Sequence, residues 1–153
     1  MTPIKDSIEI ARSPEEVFAY LDELERHSEW QEQLISAEKL GDGPAQVGTR
    51  STEKRRMGKR EMTVSYEVTE HEPPHVFAFR GIDGPVRAVG SVTVEPLANG
   101  SGSWVLLVLD FEGHGFGKLL LPLVRRQARV QVPKDQQRLK ERLENAQRLE
   151  RAA

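Results

Sequence analysis

The sequence predicts an α+β fold in which a long antiparallel meander is followed by one long C-terminal helix. Three observations predict it. Between Val47 and Glu112 apolar residues alternate with period two, the pattern of half-buried strands. Turn signals cut that stretch into successive strands, and strands that follow one another without a crossover pair antiparallel. After Phe116 the apolar spacing becomes helical and stays so toward the end of the chain.

The bulk properties fit one ordinary globular domain over residues 1–153, with 37% hydrophobic and 30% charged residues. No apolar run approaches the roughly 20 residues that a membrane helix needs. Val105–Leu109 and Leu119–Leu121 are far shorter, so stable membrane insertion is not expected. The absence of cysteine excludes disulfides, thiolate catalysis and Cys-ligated metals. Residues 1–6 lack the charged-then-apolar layout of a signal peptide, and a cytoplasmic location is the default expectation. Net charge is −2 but unevenly spread. Residues 1–46 hold 4 Lys/Arg and 11 Asp/Glu, and residues 47–153 hold 18 and 13. The basic excess lies at Arg50–Arg60 and in the last helix.

Taken in order, Ile4, Ile8 and Ile10 mark a first strand within Pro3–Arg12. Ser13-Pro14-Glu15-Glu16 is a helix start, with Ser as the cap, Pro at the first helical position and Glu placed to close a capping box. Val17, Phe18, Leu21 and Leu24 continue at helical spacing. A second short helix is expected near Glu25–Gln33, carrying Trp30. Gly41, Gly43, Pro44 and Gly48 mark a loop. Five strands follow, at about 47–57, 60–71, 75–82, 86–97 and 103–112. Gly58-Lys59, Pro73-Pro74, Asp83-Gly84 and Asn99-Gly100-Ser101-Gly102 separate them. In the terminal helix Phe116, Leu119, Leu120, Leu123 and Val124 share a face, continued by Leu139 and Leu143. Pro122 is tolerable near the first turns, whereas Pro133 is expected to kink or split the helix. The tail beyond about residue 147 is polar and expected to fray.

A two-residue turn at Gly58-Lys59 sets Met57 against Arg60. Arg56 then opposes Glu61, and Arg50 opposes Glu67, two opposite-charge pairs that support this register. The other face pairs Arg55 with Met62, Glu53 with Val64 and Ser51 with Tyr66, and should point inward. A turn at Asp83-Gly84 sets Phe79 over Ala88 and Phe77 over Gly90. It also sets Arg80 against Arg87, a mild cost that hints at an anion contact or a bulge. In the last strand Val105, Leu107, Leu109 and Phe111 point inward. Trp104, Leu106 and Val108 are left outside with Leu97, an apolar stripe that suggests a homodimer contact. The inner surface is therefore apolar and aromatic with a few polar groups, Ser51, Glu53, Arg55 and Tyr66. Such a lining suits a ligand pocket; it equally suits a solid core with Glu53 and Arg55 near its rim.

This order of elements resembles the SRPBCC superfamily, which includes START-like lipid-transfer domains, birch-pollen-allergen-like proteins and polyketide cyclase/dehydrase-like proteins. The residues that carry the likeness are Ser13-Pro14-Glu15-Glu16-Val17-Phe18, Trp30, Val47-Gly48-Thr49-Arg50 and Tyr66 through Pro74. Gly90 through Pro96 and Leu139-Lys140-Glu141-Arg142-Leu143-Glu144 add to it. The resemblance implies a helix-grip fold, a curved sheet wrapped around the C-terminal helix with a cavity between them. It implies a small hydrophobic ligand. The residues expected to touch it are Trp30, Ser51, Glu53, Arg55, Met62, Val64 and Tyr66, then Phe77, Phe79 and Ala88. Leu107, Leu109 and Phe111 from the last strand, and Phe116, Leu120 and Val124 from the helix, complete the set.

Signals for chemistry are sparse. There is no phosphate-binding glycine loop and no Gly-x-Ser-x-Gly elbow. Gly113-His114-Gly115-Phe116-Gly117 reads as a flexible strand-to-helix joint, which in the resembling fold would border the cavity mouth. His27, His71, His75 and His114 lack zinc-site spacing, and His71 and His75 flank a Pro-Pro turn where water should solvate them. No metal and no cofactor is expected. Glu53 is the candidate acid–base group, because a carboxylate in an apolar cavity can hold its proton near neutral pH. Tyr66 is the candidate donor to a ligand carbonyl. The alternative for Glu53 is an ion pair with Arg55 or contact with water. Lys54, Arg55, Arg56, Lys59 and Arg60 form a basic hairpin whose charge suits anionic lipid headgroups or nucleic acid, but a solvated hairpin with cross-strand ion pairs is the favoured reading. The interleaved aromatics that base stacking needs are absent, so no nucleic acid is expected. Three functions stay open: a carrier of a hydrophobic molecule, a cyclase/dehydrase-type enzyme using Glu53 or Tyr66, and a protein-interaction domain with a filled cavity.

Overall fold

The computed structural model of the chain describes the backbone of residues 3–152 and the side chains of residues 3–146. Strand β1 (Ile4–Ile10) leads into helix α1 (Pro14–Asp22) and a 3₁₀ helix (Leu24–Glu29). Strands β2 (Leu34–Leu40), β3 (Arg50–Met57), β4 (Arg60–Glu72), β5 (Val76–Gly81), β6 (Val86–Pro96) and β7 (Ser103–Gly113) follow, and helix α2 (Gly117–Ala152) closes the chain. The strands form one antiparallel seven-stranded sheet in the order β1-β7-β6-β5-β4-β3-β2. Its edges, β1 and β2, do not meet, so the sheet stays open while it curves around α2. This is the helix-grip arrangement.

The start of α1 follows from its sequence. The Ser13 hydroxyl accepts from the Glu16 backbone N–H at 3.2 Å, and Pro14 occupies the first turn, where its missing N–H costs nothing. The second helix is shorter than expected and of the tighter 3₁₀ type, with Trp30 just after its end. Strand β2 is the element that sequence reading missed. Its residues, Leu-Ile-Ser-Ala-Glu-Lys-Leu, lack clean alternation, and a register shift between Leu34 and Ser36 breaks the pattern further. As an edge strand it buries little beyond Leu34, and Ile35 and Leu40 stay exposed.

The β3–β4 register is the expected one, from Met57 opposite Arg60 through Arg50 opposite Glu67. The ion pairs run across it on the diagonal or to the next strand: Lys54 reaches Glu61 at 3.7 Å and Arg80 reaches Glu67 at 3.5 Å. The β5–β6 pairing differs from expectation by two residues. Phe79 lies opposite Gly90, Phe77 opposite Val92 and Arg80 opposite Val89. The connection spans residues 82–85 rather than Asp83-Gly84 alone. Because side chains alternate with period two, a shift of two keeps every residue on its face. The large-over-small pairing survives at Phe79, now over Gly90, but not at Phe77, which meets Val92; the Arg80–Arg87 opposition, with its hint of an anion contact, disappears.

A bulge in β4 between Val68 and Glu70 changes which residues face inward. It turns His71 to the inner face, where its ring meets Phe18 and Phe77 edge-on and its Nε2 lies 2.8 Å from Asp22 Oδ1. His71 is thus packed rather than solvated. His75, past the Pro73-Pro74 turn, is exposed as expected.

Helix α2 runs unbroken through Pro122 and Pro133, contrary to the expected split. Both prolines lie on exposed positions, where water can take the hydrogen bond that the freed carbonyl loses. The backbone expected to fray beyond about residue 147 belongs to α2 through Ala152, while the side chains there lie outside the described set. The helix has two dissimilar halves. Its later part buries Leu139 and Leu143 against Ile10, Val94, Val105, Val17 and Phe18, the solid core at one end of the sheet. Its first turns leave Phe116, Leu119, Leu120 and Leu123 exposed. The glycine joint before them is tightly packed: the His114 N–H donates to the Pro85 carbonyl at 2.8 Å, and a side chain at Gly117 would collide with that same carbonyl. The outward stripe of Leu97, Trp104, Leu106 and Val108 is half-buried.

Candidate functional site

Helix α2 rests on β1, β7 and the near edge of β6 and stands off β3, β4 and β5. The gap under that half of the sheet is a cavity of about 220 Å³. The sheet supplies its walls: Ser51, Glu53 and Arg55 from β3, Met62, Val64 and Tyr66 from β4, Phe77 and Phe79 from β5, Ala88 from β6, and Leu107, Leu109 and Phe111 from β7. Trp30 closes one side and Val124 comes from α2. Sequence reading named all of these. Phe116 and Leu120, named with them, do not reach the cavity, because the first turns of α2 project past the sheet and expose 69% and 39% of these residues.

The α2 wall contains what sequence reading missed: Gln127, Ala128, Gln131, Val132 and Asp135. These positions continue the helical phase of Val124 toward Leu139, but three of them are polar. An apolar stripe is the wrong signal for a helix face that borders a cavity; the three- and four-residue spacing back from Leu139 would have found them. His27, Gln31 and Met57 also line the space. The His27 ring donates to the Leu21 carbonyl at 2.6 Å, and burial pushes its pKa below the ordinary imidazole value, so the ring stays neutral.

The polar groups of the lining are largely committed to one another. Arg55 Nε donates to Glu53 Oε2 at 2.8 Å and its Nη2 donates to Gln31 Oε1 at 2.5 Å. Burial would lower the Arg55 pKa, but Glu53, Tyr66 and Asp135 outweigh it and raise the value. Of the two states that the sequence allowed for Glu53, the structure contains the ion-paired one. The Tyr66 ring meets Phe79 edge-on at 5.7 Å. Burial pushes Tyr66 up to about 12, with Glu53 raising it further against the opposing effect of Arg55. The phenol therefore keeps its proton at neutral pH and can donate but not act as a base.

On the opposite wall the Asp135 carboxylate accepts from Gln131 Nε2 at 2.8 Å and from the Glu32 backbone N–H at 3.2 Å. Gln131 also donates to Glu32 Oε2 at 3.0 Å. These bonds tie α2 to the loop after Trp30 across one edge of the cavity. Desolvation raises the Asp135 pKa against the effect of those donors. The Trp30 indole N–H is buried without a partner among the described residues. Among those residues no group of three or more His, Asp or Glu is arranged to hold a metal ion, and no helix is long and apolar enough to cross a membrane.

No curated protein matches the chain at a significant level. Solved structures do. A protein from Thermus thermophilus superposes with a TM-score of 0.77 at 24% identity, covering 94% of this chain and 98% of that one. A START superfamily protein from Mycobacterium smegmatis gives 0.77 at 14% identity, covering 95% and 99%. The di-domain ARO/CYC BexL from the BE-7585A biosynthetic pathway gives 0.73 at 16% identity, with 94% of this chain on 47% of that one. At these identities the likeness establishes the fold. A family model matches residues 1–144, and by that match the chain belongs to the family described as polyketide cyclase / dehydrase and lipid transport.

Proposed function

We propose that this protein binds a small, largely apolar molecule in the cavity between α2 and β3–β7 and carries it unchanged. Family membership supports hydrophobic ligand binding in general. The observation that carries the finer reading is the state of the polar lining. Glu53 is held by Arg55, Arg55 by Gln31 as well, and Asp135 by Gln131 and a backbone N–H. A general base needs a lone pair directed at its substrate. Glu53 Oε2 instead accepts from Arg55 Nε, which leaves Oε1 as the only oxygen open to a ligand, and Tyr66 retains its proton. What remains for a ligand is apolar and aromatic surface with two donors, the Tyr66 phenol and the Trp30 indole N–H, which is unpartnered among the described residues.

The cavity volume of about 220 Å³ bounds the ligand. It is smaller than the roughly 300–1,000 Å³ of pockets that hold drug-sized ligands. One or two fused rings, or a short acyl chain, match it better than a two-chain lipid. Titration with naphthol, followed by its own fluorescence, tests the reading. Saturable one-to-one uptake is expected, weakened at least about tenfold by Ala128→Trp, which fills the space from the α2 side. Absence of saturable uptake by the folded protein contradicts it.

A further inference from the structure

Five of the large apolar side chains left exposed, Phe116, Leu119, Leu120, Leu123 and Val130, belong to the start of α2 or the residue before it. Their spacing of three, four and seven residues puts them on one face of the helix. Leu119 is 83% exposed, Phe116 69% and Leu123 66%. Residues 117–134 contain five Lys/Arg and no Asp/Glu. Arg125 is spent on Asp110 at 3.2 Å and the Phe111 carbonyl, which holds the helix to β7. Lys118, Arg126, Arg129 and Lys134 stand exposed beside the apolar face.

The sheet register adds a second basic element to the same end of the molecule. Tyr66 pairs with Gly81 and Val86 pairs with Gly113, so the β3–β4 turn projects past the sheet at the end where β7 passes into α2. That turn exposes Arg56, Lys59 and Arg60. Acidic groups at this end are Glu61, engaged by Lys54 at 3.7 Å, Asp83, which accepts from the Ser65 N–H at 2.8 Å, and Glu112 on the outer face of the sheet. Between the turn and the helix lie the cavity residues Met57, Met62, Val86, Phe111 and Val124.

We infer that this end of the protein docks on an anionic membrane surface, with Phe116, Leu119 and Leu123 entering the headgroup region and the two basic elements meeting the lipid phosphates. Exposed apolar side chains beside a strip of Lys and Arg without acids are the pattern of interfacial helices. A two-fold contact with a second copy would bring the same basic strips together, which opposes it. Docking at this end places the cavity residues next to the bilayer, the source or destination of an apolar cargo.

Co-sedimentation of the full chain with phosphatidylcholine vesicles containing about one-third phosphatidylglycerol tests the inference. Binding is expected there, absent from pure phosphatidylcholine and strongly reduced in about 0.5 M salt. Leu119→Ser with Leu123→Ser, at positions too exposed to affect folding, should weaken it at least about tenfold. Lys59→Glu with Arg60→Glu should do the same through the other element. No vesicle binding by the folded protein overturns the inference, as does binding that both double variants leave intact. A dimer in light scattering that the Leu119/Leu123 variant dissolves, without vesicle binding, assigns the face to a second copy and overturns it too. Naphthol uptake, measured on the same samples without vesicles, reports on the cavity independently, so failure of docking and failure of ligand binding are separable.

Discussion

Arg55 Nε sits 2.8 Å from Glu53 Oε2, two residues along the same strand and on the same inner face of the sheet. Alternation in β3 makes the pair adjacent, and the cavity removes it from bulk water, with the Glu53 side chain 11% exposed and Arg55 26%. A charge so placed depends on its partner. Glu53→Gln leaves the Arg55 guanidinium without a counter-ion and should lower stability by about 1–3 kcal/mol in urea denaturation. On the carrier reading the same change shifts naphthol affinity by less than about tenfold. An unchanged unfolding midpoint would show that the pair contributes little.

The facing of Phe79 and Gly90 gives a second prediction. A Cβ at Gly90 would lie 2.7 Å from Phe79 Cζ and 3.0 Å from the Val108 carbonyl. Gly90→Ala should therefore cost about 1–3 kcal/mol by overpacking. Phe79→Leu in the same chain should return part of that loss, because the ring is the closer obstacle. Additive losses in the double variant would contradict the contact.

Asp135 makes stability depend on pH. Its folded pKa is raised above the ordinary carboxylate value, chiefly by burial. Between the unfolded and folded values the native state binds more protons, so its contribution to stability falls as pH rises through that window. Asp135→Asn keeps an oxygen for Gln131 and the Glu32 N–H and removes the buried charge. The variant should gain stability relative to the parent at pH 7 and match it near pH 3. Urea midpoints at the two values check this, and a loss at pH 7 confined to the variant would contradict it.

The two halves of α2 should respond oppositely to truncation. Leu139 is completely buried in the core, and Leu139→Ala should cost about 2–5 kcal/mol. Leu119, also a helical leucine, is exposed, and Leu119→Ala should stay within about 0.5 kcal/mol. Similar losses at both sites would mean that the first turns are packed.

These contrasts show what the chain reveals on its face. The α1 cap and the β3–β4 register are written in local rules, a serine before Pro-Glu-Glu and a two-residue turn between charge-matched strands. The inner face of β3, β4 and β7 followed by alternation alone. Strand β2 was illegible because an edge strand with a register shift needs no apolar alternation. His71 was misplaced because one extra residue in β4, invisible in the pattern, changes the face. Phe116 and Leu120 show the limit of periodicity: it identifies a shared helical face but not whether a sheet lies beneath it. Gln131 and Asp135 were overlooked for the converse reason, since a helix bordering a cavity can keep polar side chains on its inner face.

The most direct test of the carrier reading is native mass spectrometry of protein purified from its own cell extract, followed by organic extraction of whatever is bound. The account predicts a reproducible adduct of one small apolar molecule, lost in Ala128→Trp and retained unchanged in mass through purification. Chemical conversion of the extracted compound by the protein, abolished by Glu53→Gln, would contradict it and assign the cavity to catalysis.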